Sequence, residues 1–225
     1  MPEETTAERR YIAALPLDGA TVVDVGAREG HMARLFAEGV GAAGRVVAYE
    51  PHPRNRELLG EHLAEISTVA VRPFALADAP GALTFAYPQE LGFGSAEPAI
   101  RDGLLAAGAE RLTFPVTTLD AEVAAGHAPP PDLVKIDVEG LELAVLRGME
   151  RLLRERAPDL LIEIHGADRG AKEANAAAVL SFLEAHGYEC HHIESDRRVG
   201  VESAGLAVEG HLHARVSRAR AAHLS

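Results

Sequence analysis

The chain has 225 residues, 47% of them hydrophobic, with 34 acidic side chains against 22 Lys and Arg and a formal net charge of −12. That length suits one α/β domain with a sizeable core, and the apolar content argues against disorder. The negative charge repels polyphosphate, so nucleic acid is not an expected partner, and the short basic stretch at 215–220 reads as a solvated terminus. A single cysteine, Cys190, rules out an internal disulfide and a cysteine-based zinc site. Apolar runs such as 160–162 are too short to span a bilayer, and the acidic start at 1–4 does not resemble a signal peptide. A cytoplasmic protein without membrane partners is expected. The oligomeric state is not fixed by the sequence, and a homodimer stays open.

Strands and helices alternate along the chain, the pattern of a doubly wound sheet. A leading helix is expected over 5–15, then a buried strand at 21–25, a helix over 30–38, a second strand at 45–49 and a helix over 53–65. A third strand is expected at 68–75. The next stretch is less regular: a strand at 82–87, a loop at 88–95, an extended piece at 113–117 and a short helix over 119–125. The fourth core strand spans 132–137. One helix over 141–155 carries Leu141, Val145, Leu146, Met149 and Leu152 near a 3.6 period. A fifth strand at 160–164, a helix over 171–186 stopped by Gly187, and late strands at 189–193 and 210–215 complete the pattern.

Ligands of open α/β sheets bind beyond the carboxyl ends of the strands. Four of the five core strands reach acids there: Asp24, Glu50, Asp137 with Glu139, and Glu163. Gly26 and Gly30 allow a tight turn into the next helix. Glu50, followed by Pro51, ends the next strand, where a carboxylate can accept both hydroxyls of an adenosine ribose. The third strand end, with Ala75 and Asp78, is the expected adenine site. By letter, Gly39, Gly41 and Gly44 match a dinucleotide fingerprint, but they follow a helix and precede a strand, the reverse of the required context. Asp24 would repel a pyrophosphate and attract the ammonium and sulfonium of S-adenosyl-L-methionine.

The segment 132–148, with Lys135-Ile136-Asp137-Val138-Glu139-Gly140 at its centre, followed by 157–165, resembles the FkbM family of methyltransferases. The stretches 24–30, 49–51 and 74–78 fit the family's earlier motifs, and the likeness covers residues 20–195. It implies a class I methyltransferase fold: a Rossmann-like, mostly parallel sheet of seven strands with helices on both faces. The whole chain, 1–225, then forms one domain, with an N-terminal helix in 1–18 and a last strand and tail in 196–225. It further implies S-adenosyl-L-methionine as cofactor and a small-molecule hydroxyl, on a sugar or secondary metabolite, as methyl acceptor. Two departures stand out. Arg28 occupies a place where the family often has Asn, and the helix end at Glu65-Ile66 lacks another frequent Asn.

An alcohol is a weak nucleophile at neutral pH, so a base is expected near the acceptor. His165 is the first choice, with Asp137, Glu163 and Glu139 as the others. Glu163 has a rival role as ion-pair partner of Lys135, and Glu139 as a helix cap. Asp137, Glu163 and His165 are oxygen and nitrogen ligands, but without tight spacing no metal is expected. His191, His192, His211 and His213 are expected on late strands facing solvent, and residues 90–95 as a substrate lid. Two other readings remain at this level: a nicotinamide-dependent oxidoreductase and a non-catalytic S-adenosyl-L-methionine-binding protein.

Overall fold

A computed structural model describes residues 7–88, 94–217 and Arg220. In chain order the elements are α1 (Ala7–Ala13), β1 (Thr21–Val25), α2 (His31–Val40), β2 (Arg45–Tyr49), α3 (Pro53–His62), β3 (Val69–Arg72), β4 (Ala75–Leu76) and β5 (Gly81–Tyr87). They continue with α4 (Pro98–Ala106), β6 (Glu110–Thr117), α5 (Leu119–Ala124), β7 (Leu133–Ile136), α6 (Glu142–Arg147), α7 (Glu150–Glu155), β8 (Asp159–Glu163) and α8 (Arg169–Ala185). The last are β9 (Tyr188–His192), β10 (Arg197–Val199), a 3-10 turn (Val201–Leu206) and β11 (His211–Val216).

The main sheet runs β10-β9-β11-β8-β7-β1-β2-β3. The five strands from β8 to β3 are mutually parallel, and β11 lies antiparallel to both β8 and β9. The expected seven-stranded arrangement is therefore present, with β10 added at one edge. Alternate strand residues supply two apolar layers. Val23, Val134, Ile136, Leu160 and Ile162 pack with Val145, Leu146, Leu180 and Leu183 on one face. Val22, Val46, Ala48 and Leu133 pack with Ile12 of α1 and Ala33, Phe36 and Val40 of α2 on the other. Strand order reverses between β1 and β7, which opens a crevice at their carboxyl ends.

Three local expectations are corrected. The third strand ends at Arg72, because Pro73 has no N–H to continue the ladder. Ala75 and Leu76 instead join β5 and β6 in a separate small sheet of order β4-β6-β5. The helix over 141–155 is two helices. Asp120 supplies the break: its carboxylate accepts from Arg151 N at 2.9 Å and Leu152 N at 3.0 Å, satisfying the free amides that begin α7. Helix α4 was not expected, although Pro98 at its first turn is a start signal, and the Glu97 side chain caps Ile100 N at 2.7 Å. Among the described residues no helix is long and apolar enough to cross a membrane.

Candidate active site

The crevice at the strand reversal is lined from three sides. Gly26 and Arg28 follow β1, Glu50 and Pro51 follow β2, and Asp137 to Glu139 follow β7; Glu163 and His165 stand at the end of β8. The small sheet and its approach add Phe74, Ala75, Leu76, Phe85, Tyr87 and Phe114. The enclosed space, open mouth included, is about 910 Å³.

Gly26 shapes the floor. Its φ is +85°, and a Cβ there would lie 1.9 Å from the Asp137 carbonyl oxygen. Only glycine lets the β1 turn pass so close to the β7 end. Arg28 takes a φ of +49°, a region that Asn enters more readily than most side chains. Its N–H donates to Glu50 Oε2 at 3.0 Å, and His52 N donates to Glu50 Oε1 at 2.8 Å. Glu50 is 4% exposed, and burial raises its carboxyl pKa against those stabilising amides. The Asn55 side chain is a third hydrogen-bond partner, and a carboxylate has about four acceptor positions, so one stays open toward the cleft.

Asp24 lies under this floor, fully buried, with neither oxygen hydrogen-bonded, and is absent from the lining. Burial pushes its pKa up to about 6, opposed by Lys135. Gly30 also sits away from the cleft. It begins α2 with φ +86°, and its missing Cβ makes room for Leu59 of α3. Asp78 is exposed and outside the lining, so the third strand end presents Phe74, Ala75 and Leu76 rather than a carboxylate. Pro73 explains the shift, because it turns the chain into β4 before Asp78 is reached.

On the opposite wall the acids gather round His165. Its Nδ1 lies 2.9 Å from Glu142 Oε1. Its Nε2 faces Glu163 Oε1 at 3.5 Å, with Asp137 Oδ1 and Glu139 Oε2 each at 3.8 Å. Burial disfavours the imidazolium, but Glu142, Glu163 and Glu139 outweigh it and push the His165 pKa up to about 11. The surrounding acids favour the protonated ring, which counts against His165 as the base in the metal-free chain. Glu163 is the converse case. Burial would raise its pKa, but the imidazoles of His165 and His211, each 3.5 Å from one of its oxygens, hold it below the usual carboxylate range. The Glu139 carboxyl is raised, chiefly by burial.

Lys135 Nζ binds Asp137 Oδ2 at 3.0 Å, so Asp137 rather than Glu163 is its ion-pair partner. Glu139 is not a helix cap: α6 starts after Leu141, and Glu139 bends away with φ +53° while its carbonyl accepts from Ser95 Oγ at 2.6 Å. The late histidines do fall on β9 and β11, but His192 and His213 are buried, at 6% and 2% exposure. Tyr11 of α1 covers His213 with a 2.7 Å hydrogen bond. Most of the segment expected as a lid, 90–93, lies outside the described residues.

Sequence reasoning missed Glu142 and Asn175 as site components. Glu142 is fully buried; Asn175 Nδ2 donates to Glu142 Oε2 at 2.7 Å and to the His165 carbonyl at 2.9 Å. It also missed Glu8, whose side chain lies 3.4 Å from His211 Nε2. Glu142 carried a signal, an acid one residue from Leu141 at the start of an otherwise apolar stripe.

A crevice at the strand reversal, with an acid after β2 and a charged wall after β7 and β8, defines a class I methyltransferase fold. The FkbM methyltransferase domain matches residues 24–190, and the chain belongs to that family. It is 30% identical over 121 residues to the hexuronic acid methyltransferase AglP of Haloferax volcanii, covering 53% of this chain and 47% of AglP. Among solved structures it resembles the FkbM methyltransferase of Methylobacillus flagellatus KT, with TM-score 0.57, 17% identity, and coverage of 90% of this chain and 45% of that one. The cofactor-bound Rv0187 from MTB superposes with TM-score 0.56 and 18% identity, covering 96% of this chain and 83% of that one. The chain thus spans about half the length of AglP and of the M. flagellatus protein.

Proposed function

We propose that this methyltransferase uses S-adenosyl-L-methionine to methylate a hydroxyl oxygen of a small molecule. The observation that carries this reading is the crevice itself, with Glu50 on one wall and the Asp137–Glu139–Glu163 acids on the other. The residues fit the cofactor. Glu50 keeps an acceptor position for a ribose hydroxyl, and Pro51, Phe74, Ala75 and Leu76 offer an apolar slot for adenine. Gly26 lets the methionine end approach the backbone, and the orphaned Asp24 carboxylate beneath gives the floor a negative potential that suits an ammonium. When bound, S-adenosyl-L-methionine supplies a methyl group on a sulfonium.

The chain's own groups then act on the acceptor. Alignment in the cleft supplies much of the rate in such displacements. Glu139 is the proton acceptor for the hydroxyl, because it lines the cleft with a raised pKa, whereas His165 is already protonated and Glu163 is depressed. Phe85, Tyr87 and Phe114 give the cleft an aromatic wall, with the Phe85 and Phe114 rings inclined at 57° to one another. AglP is named for hexuronic acids, which favours a sugar or sugar acid as the first acceptor to try.

The test is calorimetry with S-adenosylhomocysteine, followed by incubation with labelled methyl donor and a panel of hexuronic acids and other polyols. Binding of S-adenosylhomocysteine with transfer of label to oxygen is expected. Binding of NAD in its place would sink the reading, and cofactor binding with no acceptor labelled from any cell extract would favour a non-catalytic binding protein.

A further inference from the structure

Three ligand-type atoms from two strand ends point at one gap in the cleft wall. Asp137 Oδ1 and Glu163 Oε1 stand 3.8 Å and 3.5 Å from His165 Nε2. One such atom from each residue lies within 4.8 Å of those of the other two. These separations exceed an ordinary hydrogen bond of at most about 3.2 Å. They match the spread of donor atoms that surround one ion at about 2.0–2.3 Å each.

A second observation is independent of that convergence. The far atom of each residue is held by a different group. Lys135 Nζ holds Asp137 Oδ2 at 3.0 Å, and His211 Nε2 faces Glu163 Oε2 at 3.5 Å. Glu142 holds His165 Nδ1 at 2.9 Å, and Glu142 is itself fully buried and tied to Asn175 Nδ2 and Gly140 N. A carboxylate on the remote nitrogen fixes the tautomer and aims the other nitrogen outward, the arrangement that orients histidine at metal centres. The neighbourhood also carries more acid than base: Glu8, Asp137, Glu139, Glu142 and Glu163 face Lys135, His165 and His211. Crowded acids of this kind are relieved by a bound cation.

We propose that Asp137, Glu163 and His165 hold one divalent cation of the magnesium or manganese type, with coordination positions left open toward the cleft. Two carboxylate oxygens and one imidazole nitrogen suit such an ion. The ion takes the place of the imidazole proton, as at any histidine ligand. The open positions receive the acceptor's hydroxyl and a neighbouring oxygen, so the acceptor is a chelating molecule, a vicinal diol or a hydroxy acid, with Glu139 beside it. The acceptor's part in this rests on the methyltransferase reading above; the binding of the ion does not.

The test uses the full chain, stripped with chelator and titrated with Mn2+ while the free-ion electron paramagnetic resonance signal is recorded. One Mn2+ bound per chain is expected. Binding should weaken by more than about tenfold in both Glu163→Gln and His165→Gln, and by about tenfold in Glu142→Gln. Binding of S-adenosylhomocysteine, measured separately in chelator, reports that each variant is folded and tests the cofactor reading by itself. No loss of free signal at millimolar Mn2+ with the wild-type chain overturns the site, as does binding that persists unchanged in the folded Glu163→Gln and His165→Gln variants.

Discussion

Glu142 Oε1 lies 2.9 Å from His165 Nδ1, joining the first turn of α6 to the chain just past β8 across 23 residues. Glu142 is fully buried, so the pair fixes the ring with little freedom. It also keeps the imidazole charged. A histidine whose folded pKa, about 11, exceeds its ordinary 6.5 adds stability that is complete below about pH 6.5 and is lost as pH rises toward 11. His211, pushed up to about 9 by Glu163, Glu8 and Glu194 against the effect of burial, adds the same sign.

Urea unfolding of the metal-free wild type should therefore show a midpoint that falls between pH 7 and pH 10. In Glu142→Gln that fall should be shallower, and the variant should be less stable at pH 7 by about 2 kcal/mol, the worth of a hydrogen bond to a charged group. Histidine ring resonances followed by NMR check the same point directly: the His165 titration should move to lower pH in the variant. An unmoved titration would mean that Glu142 does not hold the proton.

Asp24→Asn should trade function for stability. The folded pKa of about 6 lies above the ordinary 3.8, so wild-type stability from this group is present below about pH 3.8 and lost as pH rises through 6. Above pH 6 the buried charge is a cost. The variant, measured by urea unfolding at pH 8, should gain about 2 kcal/mol. Its affinity for S-adenosylhomocysteine should drop over the same range. A variant that is less stable at pH 8 would contradict this account of Asp24.

Gly26→Ala should fail in both respects. The added methyl carbon would meet the Asp137 carbonyl at 1.9 Å, in a backbone conformation that alanine rarely adopts. A loss of about 3 kcal/mol or more is expected, read as a lowered thermal midpoint, together with loss of cofactor binding.

Truncating Glu50 to alanine removes the acceptor for Arg28 N and His52 N as well as for a ribose. Affinity for S-adenosylhomocysteine, measured by calorimetry, should fall by about 10- to 100-fold. Adenosine lacking its ribose hydroxyls should compete equally against wild type and variant if the hydroxyls are what Glu50 reads.

The half of the site built from strand ends was legible in the sequence. Gly26, Glu50, Pro51, Asp137, Glu139, Glu163 and His165 all follow short apolar runs, and in an open α/β sheet that position alone puts a residue at the crevice. The same period puts Lys135 and Asp137 on one strand face, yet the partner expected for Lys135 was Glu163. What sequence periodicity could not reach is the layer behind. Glu142 reads as an ordinary first-turn acid until α6 is packed against α8, which brings Asn175 to it. Asp78 misled because its distance along the chain suggested a strand end that Pro73 had already moved. The charge of His165 depends on four acids from three segments, and no local pattern carries that sum.

The small sheet is bound to the acid wall through Ser95, whose hydroxyl reaches the Glu139 carbonyl, yet it contributes no acid to the cluster. It enters after β3 and leaves at α5, so the five parallel strands and their charged ends close without it. On the reading proposed above, β4 stays tied to the cofactor through the adenine slot at Ala75 and Leu76, while β5 and β6 are the part that selection can rework without touching the acid wall.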